Sequence, residues 1–110
     1  MMLLTDKLKN FAEKIAEIED VNIYHYFRPM MSAPFILWAE TGENNNFSAD
    51  NHKDEQIVGI DIDYYTKAEF DGVTDDIQEI LQEIECAWTL SSVAYEDDTE
   101  LIHYSWSIEI

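Results

Sequence analysis

The stretch Asn51-His52-Lys53-Asp54-Glu55-Gln56-Ile57-Val58-Gly59-Ile60-Asp61-Ile62-Asp63-Tyr64-Tyr65-Thr66 decides the fold, because a polar segment passes there into the most regular strand signal of the chain. Val58, Ile60, Ile62 and Tyr64 alternate with Gly59, Asp61, Asp63 and Tyr65. A period of two therefore places four large side chains on one face and two carboxylates on the other. The expected strand, 56–66, has one face in a core and the other in water.

Upstream, Thr5 is suited to cap a helix over 5–19, with Leu8, Phe11, Ala12, Ile15 and Ile18 at helical spacing. Its Lys9–Glu13 and Glu13–Glu17 pairs oppose each other in sign, so packing has to hold it. Val21 to Phe27 is β-branched and aromatic enough for a strand. Pro29 and Pro34 then make a connector, since each lacks an amide donor and biases its predecessor away from helix. The run 35–40 is apolar almost throughout and reads as a strand covered on both faces. Thr41 to Asn46 is rich in turn formers, and with 47–53 it forms the longest segment without periodicity, a length usually associated with function.

Downstream, Asp71 is placed to cap a helix over 72–87, with Asp75 and Asp76 in its positive first turns. Val73, Ile77, Ile80, Leu81, Ile84 and Trp88 form its apolar stripe. Strands at 89–95 and 101–110 flank a turn at 96–100 and read as an antiparallel hairpin. In the second of these, Ile102, Tyr104, Trp106, Ile108 and Ile110 alternate with polar residues. The pattern predicts one domain over 1–110 in the order α-β-β-β-α-β-β. Its class is α+β, with two amphipathic helices packed on one face of a mainly antiparallel sheet of four or five strands.

At 110 residues the chain can bury roughly two thirds of its unfolded surface. The aromatic content, three Trp, six Tyr and five Phe, separates it from disordered acidic chains. Twenty-four Asp and Glu against six Lys and Arg leave a net charge of −18. All six bases lie at or before Lys67, with twelve of the acids, and the other twelve acids have no base among them. Such a field repels phosphates and argues against specific nucleic-acid binding. Cys86, the sole cysteine, permits no internal disulfide and reads as a small hydrophobe at a helix end. Met1-Met2-Leu3-Leu4 is followed at once by Thr5 and Asp6, too short for a signal peptide or membrane span. The expectation is a cytosolic protein, or part of something assembled in the cytosol.

Few residues suggest catalysis. Gly42, Gly59 and Gly72 are too far apart for a phosphate-binding loop or dinucleotide fingerprint. His25, His52 and His103 have no paired metal-ligand spacing. His25 and His103 are expected on strand faces, and His52 in the long loop. Asp61 and Asp63 share a strand face roughly 7 Å apart. In a chain this acidic, close carboxylates need no purpose, and no calcium-loop spacing accompanies them. No enzymatic activity, cofactor or metal is expected.

Pro34 to Glu40, Phe47 to Asn51, Glu55-Gln56 leading into Ile60 to Lys67, and Glu69 to Asp71 together resemble small proteins encoded in the head-tail gene cassettes of phages and prophages of Gram-positive bacteria. The ending Trp88 to Glu96 and Leu101 to Trp106 looks like the same family. That group is similar to tail terminators and tail-to-head joining (tail completion) proteins of long-tailed phages. The resemblance implies a structural α+β subunit that assembles, commonly as a hexameric ring, between tail tube and head connector. It implies a place in the virion neck, after assembly in the host cytoplasm. Partners would be further copies of itself, the tail tube and the connector, with no membrane involved. Phe47, Asn51, His52 and Lys53 are then candidate subunit or partner contacts, in a loop well placed for them.

On this reading Asp61 and Asp63 either line the lumen, keeping DNA off the wall, or belong to a solvated surface. Two other classes explain parts of the pattern. An acidic DNA mimic that inhibits a nucleic-acid-binding enzyme would need carboxylates at duplex-like spacing over one surface. A small hydrolase would need a pocket where carboxylates or histidines converge.

Overall fold

The structure is a computed structural model that describes residues 3–27, 33–45 and 56–110. Its elements follow the expected order: α1 (Leu4–Ile15), β1 (Asn22–His25), β2 (Phe35–Asn45), β3 (Ile57–Thr66), α2 (Val73–Glu83), β4 (Ala87–Glu96) and β5 (Leu101–Glu109). The five strands form one sheet in the order β1-β2-β3-β5-β4. β1 lies parallel to β2, with Ile23 opposite Ile36, and the other three pairings are antiparallel, so the sheet is mixed. None of the described helices is long and apolar enough to cross a membrane.

β3 is bonded on both sides. Ile62 faces Trp38 of β2 and Trp106 of β5, while Ile60 faces Glu40 and Ile108. Because paired residues share a face, Ile36, Trp38, Ile60, Ile62, Tyr64, Trp106 and Ile108 form one apolar surface. Phe11, Ile15 and Ile18 from the first helical segment, and Ile77, Ile80 and Leu81 from α2, complete that core. Phe11 meets Trp38 edge to face at 4.9 Å, a favoured aromatic geometry. The buried Trp106 indole donates to Gln78 Oε1 at 3.2 Å, tying α2 to β5 without leaving a polar orphan.

The structure corrects four details. The first helix stops at Ile15, short of residue 19. Glu17 and Ile18 bond to Lys14 and Ile15 in a tighter three-residue turn, and Asp20 at φ 63° ends the run. Ile18 still reaches the core. Second, α2 stops at Glu83, and Glu85 at φ 55° takes the left-handed conformation that terminates helices. Trp88 therefore packs on the core from β4, not from a last helical turn.

Third, β2 continues to Asn45 through residues that read as a turn. Register shifts between Glu40 and Gly42 and between Glu43 and Asn45 absorb the misfit, and Gly42 adopts φ 131°, open to glycine alone. Fourth, the outer face of β3 is not uniformly wet. Tyr65 is buried with Phe35 and Leu101 in a second small cluster, stacked at 4.8 Å on Phe35. Only at that end is β2 covered on both faces.

Ile60→Ala should lose about 2–5 kcal/mol, as a large-to-small change in a packed core. Asp61→Lys, on the exposed side of the same strand, should stay within about 0.5 kcal/mol. Thermal melts of both variants check this; equal destabilisation would mean the faces are misassigned.

Candidate interaction surface

The turn from β3 into α2 is locked by one carboxylate. Asp71 Oδ2 accepts from the Thr66 hydroxyl at 2.6 Å and the Tyr64 hydroxyl at 2.8 Å, while Oδ1 accepts from the Val73 amide at 2.9 Å. The Thr74 hydroxyl donates back to the Asp71 carbonyl at 2.8 Å, so the expected cap is in place. Burial alone would raise the Asp71 carboxyl. The donors from Thr66, Val73 and Tyr64 outweigh it and hold the pKa below the ordinary aspartate value. Burial, with Asp71 as acceptor, pushes the Tyr64 phenol well above its usual range.

This lock fixes the loop from Lys67 to Gly72 in a shape that throws Phe70 outward. Phe70 sits at φ 55°, an uncommon conformation for a bulky residue, and is 99% exposed. It stands off from Ile102 and Tyr104 across a cleft of about 500 Å³. On the same sheet surface Val93 pairs with Tyr104, and Tyr95 with Ile102. Val93 is 53% and Tyr95 60% exposed, and Leu90 is exposed further along the strand. Exposed apolar side chains thus occur both on the Phe70 loop and on β4, with Glu69, Asp71 and Asp75 beside Phe70.

β4 is also a sheet edge. From Cys86 to Tyr95 it carries no charge, Pro or Lys, the usual devices that keep an edge from pairing. A register shift between Leu90 and Ser92 is its one irregularity.

At the opposite end of the sheet a larger cleft, about 700 Å³, opens between α1, the end of α2 and the ends of β3 and β5. Phe11, Ile57, Ile84, Cys86, Ala87 and Ile110 supply apolar or small lining, and Glu13, Glu17, Glu85 and Glu109 outnumber Lys7 and Lys14 among its charged residues. Lys7 Nζ donates to the main-chain oxygens of Gln56 and Ile110. Lys14 is bridged to Glu17 at 3.5 Å and Glu83 at 3.4 Å, and these carboxylates raise its pKa. The Cys86 thiol is half-buried, donates to the Leu81 carbonyl at 3.6 Å, and has its pKa raised by burial.

The sequence-derived candidates separate. Phe47, Asn51, His52 and Lys53 lie outside the described residues. Asp61 and Asp63 sit on the sheet face away from the helices. Asp61 is exposed, with Ser107 Oγ 3.5 Å away, whereas Asp63 Oδ1 contacts His103 Nε2 at 2.7 Å and accepts from Ser105 Oγ at 2.7 Å.

Ser105 Oγ also lies 3.1 Å from His103 Nε2, and Glu96 lies 3.6 Å from Nδ1. A nucleophilic relay needs the activating hydroxyl contact on the ring nitrogen opposite the acid partner. Here Asp63 and Ser105 crowd the same nitrogen, and the hydroxyl proton goes to Asp63. The cluster is a strand-face network. His25, also strand-borne, stacks on Trp38 at 3.7 Å and pairs with Glu40 at 2.9 Å. No three His, Cys, Asp or Glu among the described residues are grouped to hold a metal ion.

Sequence reasoning missed Phe70, the β4 surface and the Lys7–Cys86 cleft. For Phe70 a signal existed. A hydrophobe just before a helix cap usually packs against one four residues past the cap, but that position is Asp75, so Phe70 had no local partner. No known protein-family model and no curated protein sequence matches this chain.

Asp71→Asn should destabilise the protein at neutral pH by about 1–2 kcal/mol, by weakening the cap and its hydroxyl bonds. A depressed carboxylate stabilises above the unfolded-state pKa of about 3.9 and loses that contribution as pH falls through the lower folded value. The gap between wild type and Asp71→Asn should therefore close below about pH 4. Denaturant titrations across that range check it; a gap independent of pH would show that the charge plays no part.

Proposed function

We propose that this chain is a structural subunit of the phage virion neck, a tail terminator or head-tail joining protein that works as a ring at the junction of tail and connector. The observation that carries the proposal is the β4 edge with its exposed Leu90, Val93 and Tyr95, an uncharged apolar strip on a molecule of net charge −18. Exposed apolar surface bounded by polar residues marks a site of association. The segments that resemble head-tail cassette proteins run through β2, β3, β4 and β5, so the likeness and the exposed strip share one sheet.

In this role the protein performs no reaction. It presents surfaces to its own copies, to the tail tube and to the connector. The finer arrangement, which strands face a channel and whether Asp61 and Asp63 line it, belongs to the same proposal. A channel that passes DNA benefits from carboxylates on its wall, since they keep phosphates from binding. Ring closure requires a heterologous contact, one surface of a subunit against a different surface of the next.

Subunits this acidic repel one another, and salt shortens that repulsion from a reach of about 30 Å at 0.01 M to about 8 Å at 0.15 M. Sedimentation velocity across this range should show small species at low salt and larger ones as salt rises. Assemblies that fall apart with rising salt, or one small species throughout, would count against the proposal.

A further inference from the structure

We infer that copies of this chain join edge to edge, β4 of one copy pairing antiparallel with β1 of the next, so that the sheet continues from copy to copy. The inference rests on the ring-subunit reading above and names the two surfaces that such a subunit would join. The sheet order leaves β1 open on one side and β4 on the other. Each open edge presents a row of amides and carbonyls free to pair with another strand.

Both edges are uncharged on a molecule of net charge −18. No Asp, Glu, Lys or Arg occurs from Val21 to Phe27, the run that holds β1, or from Cys86 to Tyr95, the run that holds all of β4 but its last residue. The central strand β3, by contrast, carries Asp61 and Asp63. Each edge run also exposes large apolar side chains, Tyr26 and Phe27 on one and Leu90, Val93 and Tyr95 on the other. Outside these two runs, the exposed large apolar side chains among the described residues are Leu3, Leu4 and Phe70.

Strand direction and register fit the same contact. β1 runs with β2, and β2, β3, β5 and β4 then alternate, so β1 and β4 point opposite ways. A second copy set beside the first with its helices on the same side therefore meets β4 with an antiparallel β1. Across the sheet one row runs from Asn22 through Phe35, Tyr65 and His103 to Ala94, and the next from Ile23 through Ile36, Tyr64 and Tyr104 to Val93. At equal height the next copy's Asn22 meets Ala94, and its Ile23 meets Val93. Ile23 and Val93 share the helix face, so the apolar surface continues across the junction. The ladder is short, because β1 is only Asn22–His25, with the Tyr26 amide bonded to the Trp38 carbonyl beyond it. The exposed side chains of the two runs supply the rest of the contact.

Glu85 and Glu96 bound the β4 run in sequence, Asp20 and Arg28 bound the β1 run, and Glu40 is paired with His25 at 2.9 Å. At equal height Glu96 approaches the next copy's Asp20, a repulsion that salt screens. The contact joins two different surfaces, so it closes as a ring or continues as a filament. A two-fold β4-to-β4 contact, or a strand from another protein, would cover one edge and leave β1 open, whereas a second copy supplies both halves.

Cross-linking reads the pairing directly. Asn22 and Ala94 are both exposed. Asn22→Cys/Cys86→Ser and Ala94→Cys/Cys86→Ser, mixed at a salt concentration where wild type associates and treated with a short bis-maleimide, should give dimers on a denaturing gel, while each treated alone stays monomeric. The variant carrying Asn22→Cys, Ala94→Cys and Cys86→Ser together should give a ladder of longer species. Val93→Asp should weaken self-association at least tenfold by sedimentation, whereas Thr5→Asp, of the same net charge but at the exposed start of α1, should change it less than twofold. If wild type associates but the mixture yields no dimer, if Ala94→Cys/Cys86→Ser cross-links to itself, or if the two charge variants weaken association equally, the inference is overturned and the ring reading stands. If the mixture cross-links but only open filaments are imaged, the inference stands and the ring reading falls. If wild type remains a monomer at every salt concentration, both fall.

Discussion

The two-sided pairing of β3 is the constraint on which the rest of the structure depends. Its bonds to β2 and β5 bring Trp38, Ile62 and Trp106 into one row, and that row is the floor on which α1 and α2 pack. The strand's end is no less consequential. Tyr64 is buried in the core, yet its hydroxyl reaches Asp71, and Thr66 reaches the same carboxylate. The interior packing of the strand is thereby coupled to the cap of α2 and to the direction in which Phe70 points. A surface feature is specified by the core because one strand belongs to both.

Charge explains why the apolar surface lies where it does. With −18 on 110 residues, two copies meet least unfavourably along surfaces free of carboxylates. The strip from Cys86 to Tyr95 is such a surface, and it falls on a sheet edge with apolar side chains exposed. The bases are equally uneven, with three of six on α1 beside the larger cleft. The histidine, serine and carboxylate groups on the far sheet face stay engaged with one another and do not gather around a cavity.

Much of the fold was legible because it depends on local periodicity. The alternation in 58–65 identified the core face of β3, the spacing of Ile77, Ile80 and Leu81 identified the buried stripe of α2, and Asp71 announced its cap. Tyr65 shows where that logic stops. Period two assigns a side chain to a face but says nothing of whether a distant Phe35 and Leu101 will cover it. Trp88 matched the helical stripe by spacing, and only the turn at Glu85 moved it to a strand. The larger cleft had no sequence signal at all, because Lys7, Ile57, Cys86 and Ile110 are brought together by four different elements. Phe70 was readable in retrospect through its missing partner at position 75.

Direct imaging of the purified protein bears most immediately on the claim that this chain is a ring-forming subunit. Negative-stain electron microscopy at moderate salt should show closed rings with a central opening, and class averages would give the number of subunits. A field of compact monomers at the same salt, persisting at high protein concentration, would contradict it.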